Sequence, residues 1–236
     1  MRQIVLDTET TGLEPRDGHR IIEIGALEIV GRRIVEERRL HLYLNPEREI
    51  DEGALAVHGI TAEFLADKPK FVEVVDELLA FVADAEVIIH NAAFDVGFLD
   101  AELARAGRGS FAAACAKVTD SLLLARSLHP GKRNSLDALC ERYAVSNAHR
   151  TLHGALLDAG LLADVYLAMT RGQDTLAMDL ARAVDGEGYE TVDPASLLVL
   201  TASDEEAATH EAVLARLAKD AKGGAIWPRQ SAAAAS

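Results

Sequence analysis

Basic residues are scarce in this sequence. Its 236 residues carry 24 Lys and Arg against 38 Asp and Glu, a formal net charge of −14. Proteins that grip nucleic acid by its backbone draw on Lys and Arg at the phosphates. This chain cannot do so broadly. If it acts on nucleic acid, metal ions must sit at the site or a partner must hold the substrate; the other reading of the acidity is solubility alone. Cysteine is scarcer still. Cys115 and Cys140 are the only two and lack CxxC spacing, which predicts reduced core residues. Long apolar runs are missing as well. No stretch nears the ~20 residues that cross a bilayer. Ile4–Leu6 is followed at once by Asp7, unlike a signal peptide. These absences predict a soluble, cytoplasmic protein with no membrane partner. What is plentiful is apolar: 49% hydrophobic residues suit one well-packed domain with a smaller appendage.

Residues 3–8 read as an apolar, β-branched strand, and extended runs follow over 20–30 and 33–44, with Arg32 and Arg33 near the turn between them. Val72, Val75, Leu78, Leu79 and Val82 give helical spacing over 71–83. A short buried strand over 86–90 precedes a helix over 94–106 carrying Phe94, Phe98, Leu99 and Leu103. A strand near 117–119, helices over 120–128 and 135–143, and a long helix over 154–169 complete the pattern. A three-strand meander followed by alternating helix and strand predicts an α/β fold: a ribonuclease H-like mixed sheet flanked by helices. Composition changes after Gly172. Residues 172–236 hold 5 Lys/Arg against 11 Asp/Glu, more acidic per residue than 1–171 with 19 against 27. The glycine- and aspartate-rich run 185–188 marks 179–195 as a linker.

Three segments carry candidate chemistry. Asp7 and Glu9 close the first strand, and residues two apart on a strand share a face. Such a pair repels itself unless a cation or proton lies between, and hard oxygen ligands suit Mg²⁺ or Mn²⁺. Alone the pair also suits a solvated strand end, although Ile4-Val5-Leu6 before it reads as buried. Asp95 falls at a strand-to-helix junction, where sites collect in α/β sheets; alone it also reads as a helix N-terminal acid. His153 and Asp158 are five residues apart, about 500° around a helix, so both cannot be helical and share a face. Asp158 is expected inside the helix, with His153 in the loop before Gly154, bent back toward the same site.

Together these segments resemble the DEDDh (DnaQ-like) family of 3′→5′ exonucleases, in the members that proofread for a replicative DNA polymerase. Asp7 and Glu9, Asp95, and His153 with Asp158 match its three motifs. Val57-His58-Gly59-Ile60-Thr61, Lys117–Ser121 and Pro130–Asp137 add to the resemblance. The family implies two divalent metal ions, Mg²⁺ or Mn²⁺, with Asp7 bridging, Glu9 and Asp158 on one ion, and Asp95 on the second partly through water. His153 is then the general base toward water, a task suited to an imidazole with a pKa near ~6.5. The substrate this resemblance implies is a single-stranded 3′ end of DNA. For such a substrate the expected clamp is backbone at Thr8, Thr10 and Gly12 toward the terminal sugar and phosphate, Leu13 as a wedge between bases and Phe94 as a stacking face. His58 and Asn91 match polar positions near the site. Phe94 and Leu13 are equally readable as packing residues. One position departs: the family's Glu five residues before the His of His-Gly-Ile is Gly53 here, with Glu52 beside it. Lys132 and Arg133 either meet phosphate or decorate a turn before a helix capped by Asn134; the second reading is preferred.

The domain plan is then an exonuclease domain over 1–172, a sliding-clamp-binding peptide over 173–178, a linker over 179–195, a polymerase-binding segment over 196–230 and a disordered end over 231–236. Gln173, Leu176 and Met178 resemble a clamp-binding peptide in which Met replaces the final aromatic residue. Ser203 and Glu206 form a capping box. The helix after it bears an apolar stripe with Leu214 and Leu217, and Trp227 is an aromatic anchor beyond it. The resemblance implies that this flexible tail binds the polymerase alpha subunit, and leaves room for a small accessory subunit. The competing reading is a stand-alone ribonuclease of the same family that trims RNA 3′ ends; the tail argues against it.

Overall fold

The computed structural model describes residues 2–148, 152–171 and 202–220. The chain divides into two units, Met1–Ala181 and Arg182–Ser236. The first unit is built on five strands: β1 (Arg2–Thr10), β2 (Ile21–Val30), β3 (Arg33–Tyr43), β4 (Glu86–Ile89) and β5 (Lys117–Asp120). Their order is β3-β2-β1-β4-β5. The meander β1–β2–β3 is antiparallel, whereas β1–β4 and β4–β5 are parallel. The mixed sheet expected from the pattern is therefore present. A register shift between Glu9 and Thr10 kinks β1 as it leaves the sheet.

Both faces of the sheet are covered, so the central strands are apolar throughout. Ile4 and Leu6 of β1 and Val87 of β4 pack with Phe71, Val75 and Leu78 of α3 (Phe71–Val82) and with Phe98 and Leu99 of α4 (Ala92–Arg105). Val5 and Ile88 point to the opposite face. They pack with Leu139 and Cys140 of α7 (Leu136–Tyr143) and Ala159 and Leu162 of α8 (Ala155–Met169).

Four details differ from the expectations. Val72 lies on the solvent side of α3, 58% exposed, because the core stripe runs through Phe71, Val74, Val75, Leu78 and Val82. Cys140 is buried, but Cys115 is only partly so. α7 is capped by Ser135, whose hydroxyl accepts from the Ala138 N–H. Asn134 is instead buried in the preceding turn, donating to the His129 and Lys132 carbonyls. Three short helices escaped the pattern: α1 (Glu52–His58), α2 (Ala62–Leu65) and α5 (Phe111–Ala114). They are too short and too exposed to show a period. Among the described residues of this unit the remaining α-helix is α6 (Ser121–Leu128).

In the second unit the described residues form one helix, α9 (Asp204–Asp220). Its capping box is formed: the Ser203 N–H donates to Glu206 at 2.9 Å and the Glu206 N–H donates to the Ser203 hydroxyl at 3.3 Å. Leu214 is half-buried and Leu217 exposed. Gln173, Leu176, Met178, Trp227 and the linker over 179–195 lie outside the described residues.

Candidate active site

Alternation along β1 distributes the site. Thr8 continues the face of Ile4 and Leu6, toward α4. Asp7 and Glu9 continue the face of Val5, toward α8. The α4 side supplies Asp95, in the first turn of that helix and 3% exposed. Thr8 anchors it. Its hydroxyl donates to Asp95 Oδ1 at 2.7 Å and its backbone N–H to the same oxygen at 3.1 Å. Burial pushes the Asp95 carboxyl up to about 7, against these bonds, which favour the charged form. A solvated helix-cap acid would not be so placed. A bound cation would reverse the shift. Asn91, just before α4, sits in the left-handed region at φ 66, a conformation Asn tolerates better than most residues.

The α8 side supplies the rest. Gly154 is extended and starts the helix, Asp158 lies in its first turn, and His153 precedes it. The His153 N–H donates to the Val57 carbonyl at 3.1 Å, tying the loop to α1. His153 Nδ1 then stands 3.2 Å from Asp158 Oδ2. Two features seat this helix start on the sheet. Gly25, paired with Asp7 across β1–β2, leaves no room for a side chain: a Cβ there would lie 2.2 Å from Leu156 N. Glu23, paired with Glu9 and almost fully buried, accepts the Ala155 N–H at 3.1 Å and meets His41 Nε2 at 2.7 Å. Glu23 had not been singled out; the signal was a lone acid inside the apolar run Ile21-Ile22-Glu23-Ile24.

Glu9, His153 and Asp158 each offer a ligand atom, and the three atoms lie within 4.8 Å of one another. Glu9 and Asp158 are both buried, at 9% and 4% exposure. Two buried carboxylates this close need a cation or a proton between them. Asp7 and Asp95 open into the same cavity of about 320 Å³. The oxygen-rich donor set fits a hard divalent cation.

An apolar pocket of about 430 Å³ adjoins it, sharing Thr8, Glu9 and Phe94, and reached by Thr10, Gly12, Leu13, Val57 and His58. Leu13 is 78% exposed at its rim. Phe94 is half-buried, 5.0 Å from Phe98. His58 is buried, and its Nδ1 accepts the Ile60 N–H at 3.0 Å. Burial lowers its pKa, against the Thr10 backbone and the Glu23 charge, and because Nδ1 accepts the Ile60 N–H the hydrogen of the neutral ring sits on Nε2. Gly53 lines the pocket beside open space, and Glu52 is exposed at the start of α1. His19 was also not anticipated. It meets Thr11 Oγ1 at 3.1 Å and Asp51 at 3.4 Å, and its ring occupies the place of a side chain at position 12, so only Gly12 fits beneath it.

Residues 4–166 match the RNase_T family, described as exonuclease. The chain is 51% identical to the DNA polymerase III subunit epsilon of Escherichia coli (strain K12), covering 96% of this chain and 97% of that one. The corresponding subunit of Pasteurella multocida (strain Pm70) is 46% identical, over 98% and 95%. That of Rickettsia felis (strain ATCC VR-1525 / URRWXCal2) is 42% identical, over 94% and 99%. Among solved structures, exonuclease X in complex with 5′ overhanging duplex DNA superposes with a TM-score of 0.57 at 25% identity, covering 73% of this chain and 93% of that one. Exonuclease I gives 0.65 at 17% identity, over 77% and 43%, a likeness of fold. The exonuclease match, which spans Asp7, Glu9, Asp95, His153 and Asp158, and the near full-length identities agree: this chain belongs to the RNase_T exonuclease family, in the branch of the DNA polymerase III epsilon subunits.

Proposed function

We propose that this protein is the proofreading 3′→5′ exonuclease of a bacterial replicative polymerase, hydrolysing the 3′-terminal phosphodiester of mispaired primer ends to release nucleoside 5′-monophosphates. The observation that carries the reading is one cavity lined by Asp7, Glu9, Asp95, Asp158 and His153. Asp7, Glu9 and Asp158, with Asp95 on the far wall, would hold two divalent ions, Mg²⁺ or Mn²⁺. Bound there, such ions supply positive charge for the reacting phosphate and acidify water. The chain's own residues do the rest. His153 takes the proton of the attacking water at Nε2, its ring oriented through Nδ1 by Asp158. Thr8 fixes Asp95. The terminal nucleoside enters the apolar pocket, where the His58 Nε2–H donates to it, Phe94 stacks on the base and Leu13 separates it from the next one. Backbone at Thr8, Thr10 and Gly12 borders its sugar and phosphate, and Asn91 meets the strand beyond.

The domain plan belongs to the same proposal: residues 1–172 catalyse, 173–178 contact the sliding clamp (beta) through Gln173, Leu176 and Met178, and 179–195 link. Residues 196–230 bind the DNA polymerase III alpha subunit through Leu214, Leu217 and Trp227. The exposed apolar side chains of α9 support this. A small accessory subunit on the exonuclease domain fits the same assembly. Among the described residues no helix is long and apolar enough to cross a membrane, and the protein acts in the cytoplasm. The test is degradation of a mismatched primer with Mg²⁺. Wild type is expected to digest it and Asp7→Ala to fail; equal digestion by both defeats the metal-site assignment. In a pull-down, residues 1–180 are expected to lose the alpha subunit, and full retention by that fragment removes the tail from the interface.

A further inference from the structure

The catalytic cavity has a neighbour on its other side. A groove of about 770 Å³ shares His90, Asn91 and Ser135 with it and continues to Arg126, His129 and Lys132 on α6 and the turn before α7. Its chemistry is the reverse of the catalytic cavity's. Asp7, Glu9, Asp95, Asp137 and Asp158 line one, whereas no carboxylate lines the other. The chain as a whole carries a net charge of −14, so a groove with two cations and no lining carboxylate departs from its general character. Arg126 and Lys132 are exposed and make no ion pair or hydrogen bond through their side chains among the described residues. Most other cations near the sheet are committed: Arg20 to Glu102, Arg2 and Arg38 to Glu28, Lys117 to Glu86. Arg126 and Lys132 bring full positive charges to the groove, whereas burial lowers the pKa of His90, against the nearby Asp120 carboxylate; its Nδ1 lies 2.9 Å from the Ser121 hydroxyl. The turn that presents Lys132 is built rather than loose. Buried Asn134 donates to the Lys132 and His129 carbonyls, and Arg142 donates back to Asn134 and to the Arg133 carbonyl.

Three contiguous compartments therefore run across the sheet edge: apolar, acidic, basic. A DNA 3′ end has the same order of needs. The terminal nucleoside wants an apolar slot, the scissile phosphate wants metal-holding carboxylates, and the next phosphates need cations with no acid nearby. We propose that the Arg126–Lys132 groove is a binding subsite for phosphodiesters of the single strand on the 5′ side of the scissile bond. It rests on the exonuclease reading above. It also revises the preferred sequence reading of Lys132 as decoration on a turn, and it explains how an acidic protein keeps hold of the strand it shortens.

The experiment compares wild type with the double variant Arg126→Gln/Lys132→Gln on two substrates: a single-stranded oligothymidylate, and the p-nitrophenyl ester of thymidine 5′-monophosphate, which has no upstream phosphate. The ratio of kcat/KM for the oligonucleotide to that for the ester is expected to fall several-fold in the variant, through KM. The slope of log(1/KM) against log[salt] for the oligonucleotide is expected to flatten by about 1.4, at ~0.7 for each lost phosphate contact to a single strand. An unchanged ratio and slope overturn the subsite, as does an equal loss on both substrates, which would mean that the change reached the catalytic cavity. If wild type hydrolyses neither substrate with Mg²⁺ or Mn²⁺, the exonuclease reading itself fails, an outcome separable from the others because it precedes any comparison with the variant.

Discussion

Gly25→Ala is the most informative single change. Gly25 lies opposite Asp7 in the sheet, and the first turn of α8 rests on it. An added Cβ would stand 2.2 Å from Leu156 N, 2.3 Å from Ala155 C and 2.4 Å from Leu156 Cα, all backbone atoms, where ordinary contact begins near 3.4 Å. The helix start or β2 must therefore move by about 1.2 Å, the difference between those two separations. Glu9, His153 and Asp158 now hold their ligand atoms within 4.8 Å. A shift of ~1 Å exceeds the ~0.5 Å tolerance of a catalytic constellation and typically costs about 100-fold in rate. Overpacking of this kind costs roughly 1–3 kcal/mol, and at about 2–4 °C per kcal/mol for a domain this size Tm should drop by about 2–12 °C. Single-turnover digestion of a mismatched primer and calorimetric melting measure the two effects. Gly160→Ala is the paired control. It lies on the same helix but its Cβ would meet only Leu27 Cδ1 at 3.7 Å. It should keep full activity and gain up to ~1 kcal/mol from helix propensity. Gly25→Ala with activity within threefold of wild type would refute the claim that this contact sets the position of the site.

Thr8→Val keeps the shape but removes the hydroxyl that donates to Asp95; at ~1.5–3 kcal/mol for a bond to a charged acceptor, kcat/KM should fall at least tenfold, and a loss below twofold would show that the backbone N–H suffices. Mn²⁺ or Mg²⁺ should raise Tm, by about 2.7 kcal/mol of stability at a hundredfold excess over Kd, and Asp158→Asn should erase most of the rise, as thermal melts with and without EDTA would reveal. Away from the site, Glu86 is nearly buried, which pushes its carboxyl up, but bonds from Thr119, Gln3 and Lys117 outweigh this and hold it below the usual carboxylate range. A lowered folded pKa stabilises above the unfolded value and is lost as pH falls through the folded one. Thr119→Val should therefore cost stability at pH 7 but progressively less below about pH 4.3, the ordinary Glu value; a cost that does not change with pH would contradict this.

Much of the site was legible because its residues obey local rules. The two-residue spacing of Asp7 and Glu9 on an apolar strand placed them on one face without tertiary information, and the five-residue spacing of His153 and Asp158 required a helix break between them, which Gly154 provides. Asp95 was located but its burial was not: a carboxyl in a first helical turn looks alike whether water or Thr8 surrounds it. The exposure of Val72 and the cap at Ser135 were misjudged by a single residue, since period alone does not fix the phase of a stripe or the first residue of a helix.

What the sequence determined by itself was the inventory: strand-end acids, a junction acid, a helix acid preceded by a histidine, and a shortage of cations. Only the tertiary structure decided who stands beside whom. The close approach of α8 over Gly25, the buried Glu23 beneath the Ala155 N–H and the tether from His153 to Val57 join segments far apart in the chain. No local pattern encodes such contacts, because they depend on which sheet neighbour each strand acquires. The same holds for charge. Composition showed few basic residues, but only folding put Arg126 and Lys132 in one groove that no carboxylate lines, beside the cavity that collects the acids.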